Sequence, residues 1–145
     1  MSRLPLSRAL LLIATALVAF VSSAAAAQPA PVGFQSPSKN IACQLFSIDN
    51  RDWLRCDIAE MAPTPKRPAD CDLDWRHAFE ISARAENAAR ICYGDTVIDP
   101  ALPVLGYGDI WQRKGLTCTS DQAGVTCFNA DRHGFSLSRG KQDLF

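Results

Sequence analysis

The stretch Gly115-Leu-Thr-Cys-Thr-Ser-Asp-Gln-Ala-Gly-Val-Thr-Cys-Phe-Asn129 sets two cysteines almost symmetrically around the tetrad Asp121-Gln122-Ala123-Gly124. Both flanks, Leu116-Thr117-Cys118-Thr119 and Val125-Thr126-Cys127-Phe128, are β-branched or apolar. Asp opening and Gly closing a four-residue connection is a type I turn pattern, with Gly free to take positive φ. A hairpin folded there brings Cys118 opposite Cys127 or within one register step, at the separation a disulfide needs.

Ile41-Ala-Cys43-Gln-Leu-Phe-Ser-Ile48 and Arg51-Asp-Trp-Leu-Arg-Cys56-Asp-Ile58 repeat the design about Asp49-Asn50, two residues that tolerate turn geometry. Pairing Ile48 with Arg51 aligns Cys43 with Cys56 and Phe46 with Trp53. Cys71 and Cys92 pair by elimination, and the expected framework is 43–56, 71–92 and 118–127. A zinc site asks for cysteines two to four residues apart or closely spaced histidines, and a redox pair for Cys-x-x-Cys. Neither occurs: His77 and His133 are the two histidines, far apart in the chain. The reading is staples, with no metal and no cofactor.

Staples imply an oxidising compartment, and the N-terminus agrees. Arg3 and Arg8 precede an uncharged run, Ala9 to Val21, then small residues ending Ala25-Ala26-Ala27. That is the order of a secretory signal peptide, and serine and alanine add too little hydrophobicity for a stable membrane anchor. Residues 1–27 are read as a signal peptide removed near Ala27, 28–39 as an extended lead-in, and 40–145 as one stapled domain. Localisation is then secreted or periplasmic. Without Arg3 and Arg8 the chain keeps 13 basic against 15 acidic residues, net −2, which argues against nucleic acid or an anionic membrane as partner.

Pro63, Pro65 and Pro68 make 61–70 a loop. Leu73, Trp75, His77, Phe79 and Ile81 alternate with polar residues, a strand period. Ala83–Ala89 has no apolar face and reads as a turn or short helical piece. Arg90–Tyr93 and Thr96–Ile98 read as strand around Gly94-Asp95; 110–111 and 135–137 complete the set. Short strands divided by Gly, Pro and Asp clusters predict an all-β fold, a small disulfide-stapled sandwich or barrel of antiparallel strands.

Phe34-Gln-Ser-Pro-Ser-Lys-Asn-Ile-Ala-Cys43, Leu54-Arg-Cys-Asp-Ile58, Cys92-Tyr-Gly-Asp-Thr96, Gly124-Val-Thr-Cys127 and His133-Gly-Phe-Ser-Leu-Ser-Arg139 together resemble a family of small secreted six-cysteine bacterial domains of unknown function. Lys39 stands where that pattern usually has glycine, and Gln142 near where it has an aromatic. The resemblance implies a secreted single domain and carries no activity.

Three candidate binding residues come from these motifs. Asp95 sits in a Gly-Asp turn, where its carboxylate either serves as a base or calcium ligand or accepts bonds from nearby backbone N–H groups. His133 lies near Asp131, Ser136 and Ser138 but without a nucleophile elbow. Arg139 suits a carboxylate or phosphate. Asp70, Asp72 and Asp74 alternate as on one strand face, and read as solvated rather than as a calcium loop, which needs a glycine turn and a later Glu. Trp53, Trp75 and Trp111 read as aromatic packing. No residue is assigned a catalytic role. The expected function is a non-catalytic secreted or periplasmic domain binding a protein or envelope component. The alternative is a small extracellular hydrolase using carboxylates or His133.

Overall fold

The computed structural model describes residues 29–145, so the signal-peptide reading of 1–27 lies outside the described residues. The fold is all-β, without a helix among the described residues. Five strands form the first antiparallel sheet in chain order: β1 (Gly33–Gln35), β2 (Ile41–Ile48), β3 (Arg51–Ile58), β4 (Asp74–Ser82) and β5 (Ala89–Tyr93). The other five form the second: β6 (Ile110–Arg113), β7 (Leu116–Asp121), β8 (Gly124–Asn129), β9 (Gly134–Leu137) and β10 (Gln142–Leu144). Each sheet is a plain meander, and the sheets meet face to face as a sandwich.

The side-chain alternation of the strands decides what lies between the sheets. Cys43, Cys56 and Phe79 stand side by side across β2, β3 and β4, as do Cys118, Cys127 and Phe135 across β7, β8 and β9. All six are fully buried. Phe79 and Phe135 meet between the sheets, ring centroids 6.2 Å apart. Disulfides join Cys43 to Cys56, Cys71 to Cys92 and Cys118 to Cys127. The first and last face each other across the core, with Cys56 Sγ 4.0 Å from Cys127 Sγ.

The hairpin registers follow the turn chemistry. Ile48 pairs with Arg51 and Phe46 with Trp53, whose rings stack at 5.8 Å. Asp49 and Asn50 take φ of 51° and 59°, the left-handed values a two-residue hairpin requires. In the β7–β8 turn Asp121 accepts from the N–H groups of Ala123 and Gly124, and Cys118 faces Cys127. Gly134 opens β9 because the strands approach closely there: a Cβ would lie 2.0 Å from the Cys127 carbonyl oxygen, so a side chain would push β9 off β8.

Two expectations, for 70–74 and for 96–98, are corrected, and two others gain detail. Gly33–Gln35 of the lead-in is strand, pairing with Ala42–Gln44. Residues 70–73 stand before β4, so Asp70, Asp72 and Asp74 share no strand face; Leu73 is exposed, and a bulge between Asp74 and Ala78 interrupts the period. Ala83–Ala88, read as a turn or short helical piece, is turn and bend, and Ala89 opens β5. Thr96–Ile98 is not strand: the chain leaves β5 and crosses the outer face of the first sheet.

That crossing, residues 94–105, is a strap running from the β5 edge to the β1 edge. There Gln35 N–H donates to the Pro103 carbonyl and Leu105 N–H to the Gln35 carbonyl, both at 2.9 Å, giving a parallel bridge beside β1. Between its ends the strap has no ladder partner, and its buried backbone groups need others. Outward-facing side chains supply them. Gln44 donates to the Val97 carbonyl at 2.9 Å, and the Gln35 amide to the carbonyls of Pro100 and Leu102. Asp57 accepts from Val97 N–H and from the Thr96 hydroxyl, each at 3.0 Å. Val97 and Leu102 bury their side chains beneath it.

Candidate functional site

Arg55 and Asp57 stand two apart on β3, hence on one face, and both are 2% exposed. The guanidinium grips Asp57 with two hydrogen bonds, Nε to Oδ1 at 2.8 Å and Nη2 to Oδ2 at 2.9 Å. Its other side reaches Asp95, from Nη1 to Oδ1 at 2.9 Å and from Nη2 to the backbone carbonyl at 2.8 Å. Tyr93 lies under it, 3.7 Å from ring centroid to guanidinium carbon. Burial opposes the charge, but the hydrogen bonds to Asp57 and Asp95 outweigh it and move the Arg55 pKa up.

The Asp95 carboxylate, 77% exposed, thus takes its hydrogen bond from Arg55 and not from the backbone N–H groups of its turn. Through that bond the Gly-Asp turn is fastened to β3. A cavity of about 250 Å³ beside this cluster also takes in His77 and Asp74. His77 Nδ1 bonds the Ile58 carbonyl, and Asp74 caps Arg76 N–H at 2.8 Å. The polar groups here serve one another, an arrangement that holds a strap.

Glu80 lies opposite Arg55 across the β3–β4 pair. Burial pushes its carboxyl above the ordinary value of 4.5, and Arg55 pulls partly back. An acid whose folded pKa is raised contributes stability below its unfolded pKa and loses it as pH rises through the folded value. Glu80→Gln removes that loss. Its melting temperature relative to the parent is expected to climb between pH 4 and pH 7; scanning calorimetry over that range checks it, and a constant difference refutes it.

Asp95, His133 and Arg139 are not brought together. Asp95 is on the outer face of the first sheet. His133 closes the β8–β9 turn, where its N–H and that of Asp131 donate to Asn129 Oδ1 at 3.1 Å. Arg139 lies beyond the other end of β9, a strand about 13 Å long at ~3.3 Å per residue. The neighbouring serines are engaged elsewhere, Ser136 with Thr126 at 3.0 Å and Ser138 with the Lys141 carbonyl at 3.1 Å. No triad forms from these residues. The three sulfurs of Cys43, Cys56 and Cys127 lie within 4.8 Å of one another, but all are disulfide-bonded and offer no thiolate to a metal.

Arg139 belongs to a different place: a groove of about 420 Å³ at one end of the sandwich. Loops of both sheets form it, because the β1–β2 turn, the end of β3, the β7–β8 turn and the end of β9 all emerge there. Its floor is set by local bonds. The Ser36 hydroxyl receives Ile41 N–H at 3.1 Å, and Asn40 exchanges two bonds with the Glu60 backbone, at 2.9 and 3.0 Å. Lys39, φ 59°, holds a left-handed position in the β1–β2 turn and lines the groove wall. Arg139 pairs with Glu60 across the opening.

Tyr107 completes the rim. The strap leads into a turn that docks on β7, Gly108 N–H to the Ser120 carbonyl at 2.8 Å and Ser120 N–H to the Asp109 carbonyl at 3.2 Å. Tyr107 is thereby held at the groove while 52% exposed. Sequence reasoning missed both Tyr107 and Arg55. The first lies in a stretch without pattern, and the second was visible only as a motif letter.

A family model described as a family of unknown function (DUF6636) matches residues 9–145. No curated protein and no solved structure matches the chain.

Proposed function

We propose, for a chain that belongs to the DUF6636 family of unknown function, a non-catalytic role: an exported domain that binds a protein or envelope component in the groove at the loop end of its sandwich. The observation that carries this reading is the assembly of the groove itself. Five separate segments, from both sheets and the strap, converge on it, and they bring polar side chains that the core does not use. Three disulfides support an oxidising compartment, periplasmic or extracellular.

The hydrolase alternative finds less support. Glu60 is paired with Arg139, and Asp121 spends an oxygen on two backbone N–H groups of its own turn. Glu80, the acid whose pKa is raised, faces Arg55 on the outer face of the first sheet, away from the groove. A general acid needs a raised pKa at the place where substrate sits.

Protein secreted with its own leader, fully oxidised, is to be co-sedimented with insoluble cell-envelope material and with detergent-extracted envelope proteins. Retention on one fraction is expected, reduced at least tenfold by Tyr107→Ala at unchanged melting temperature. Equal retention of parent and variant, or none by either, overturns the reading.

A further inference from the structure

We infer that the groove takes a neutral saccharide, a conclusion that rests on the groove being the binding site. The balance of its charges selects the class. Lys39 and Arg139 supply two cations and Glu60 and Asp121 two carboxylates. A polyanion approaching the cations meets the carboxylates, and a polycation the reverse. The lining mixes serine, asparagine, glutamine and charged side chains with Ile41, Ala59, Tyr107 and Ala123, so a wholly apolar ligand would leave the polar half of the lining without partners.

A sugar ring matches what remains. Its hydroxyls donate and accept, as a wall carrying both carboxylates and N–H donors demands. Its flat C–H face suits an exposed aromatic, and Tyr107 presents an apolar ring with a polar tip at the rim. Among the described residues, Lys39, Tyr107 and Gln122 have no side-chain hydrogen bond or ion pair and are free for such a ligand. The floor is already fixed by Ser36, Asn40 and Asp121, so binding need order few side chains. A volume near 420 Å³ lies within the ~300–1,000 Å³ typical of small-molecule sites.

The test is an amide chemical-shift titration of the oxidised protein with three neutral probes: an N-acetylglucosamine tetramer, maltotetraose and cellotetraose. At least one is expected to give saturable shifts centred on Lys39, Tyr107 and Gln122. Tyr107→Ala should weaken that binding at least tenfold, and Tyr107→Phe, which keeps the ring face, less than threefold. No shift with any probe, or saturable shifts centred outside the groove, overturns the saccharide. If Tyr107→Ala still abolishes envelope retention in that case, the groove binds a protein surface and the functional reading survives alone. If a probe fills the groove but envelope retention ignores Tyr107→Ala, the saccharide site stands and the envelope role falls.

Discussion

Arg55→Met is expected to lower the unfolding free energy by about 3–5 kcal/mol, the usual cost of removing one partner from a buried ion pair. The side chain it replaces is buried and makes four hydrogen bonds, two to Asp57 and two to Asp95. Methionine fills much of the volume but leaves the Asp57 carboxylate, 3% exposed, without a cation. The Thr96 hydroxyl and Val97 N–H still reach Asp57, and they do not offset a charge. The size of the effect therefore measures the stranded anion more than the lost contacts. The double variant Arg55→Met/Asp57→Asn tests this: a neutral amide can keep the Val97 bond without the charge, so more than half of the loss should return. Urea denaturation gives the energies. Hydrogen exchange at Val97 locates them, since detachment of the strap should speed exchange there well before global unfolding. A single-variant loss under ~1 kcal/mol, or a double variant no better than the single, removes the strap argument.

This strap marks the boundary of what the sequence discloses. The two long hairpins were legible because their information is local. Asp49-Asn50 and Asp121 to Gly124 set turns, and the turns set the registers that place Cys43 beside Cys56 and Cys118 beside Cys127. Thr96-Val97-Ile98 looked equally strand-like from its β-branched residues, yet Asp57, some 40 positions earlier, takes the Val97 N–H that a neighbouring strand would otherwise have held. A side-chain partner of that kind leaves no periodicity in the segment it captures. The same distance hides the groove. Ser36, Glu60, Tyr107, Asp121 and Arg139 come from five segments, and no spacing rule joins them. Of the three candidate residues, Arg139 lines that groove, Asp95 belongs to the strap, and His133 ends a turn organised by Asn129.

The strap also links the two places. Its first half is fastened by Arg55 and Asp57, and the turn that follows it carries Tyr107 to the groove. Arg55 and Asp57, buried and hydrogen-bonded within the structure, thus anchor the segment that leads to Tyr107, an exposed aromatic lining the opening.

Removing the Cys43–Cys56 disulfide by a double alanine substitution should cost more than removing Cys71–Cys92, although loop entropy alone ranks them the other way. The sequence separations are 13 and 21 residues, so the chain-entropy model assigns each about 3 kcal/mol and favours the longer loop by only ~0.4. Packing acts in the opposite direction and is larger. Cys43 and Cys56 are fully buried between the sheets, and Cys56 Sγ rests 4.0 Å from Cys127 Sγ of the facing disulfide. Alanine at both positions empties a volume that Phe79 and Phe135, already in contact, cannot readily refill, and a cavity of that kind adds on the order of 1–2 kcal/mol. Cys71 is buried but stands outside the core between the sheets, and Cys92, on the edge strand β5, is only partly buried, so solvent or loop movement relieves the loss there. The expected totals are about 4–5 kcal/mol against about 3, read from denaturant midpoints at constant m-value. If Cys71→Ala/Cys92→Ala proves the more damaging, the staples act through the unfolded chain alone, and the contact between the two core disulfides contributes nothing.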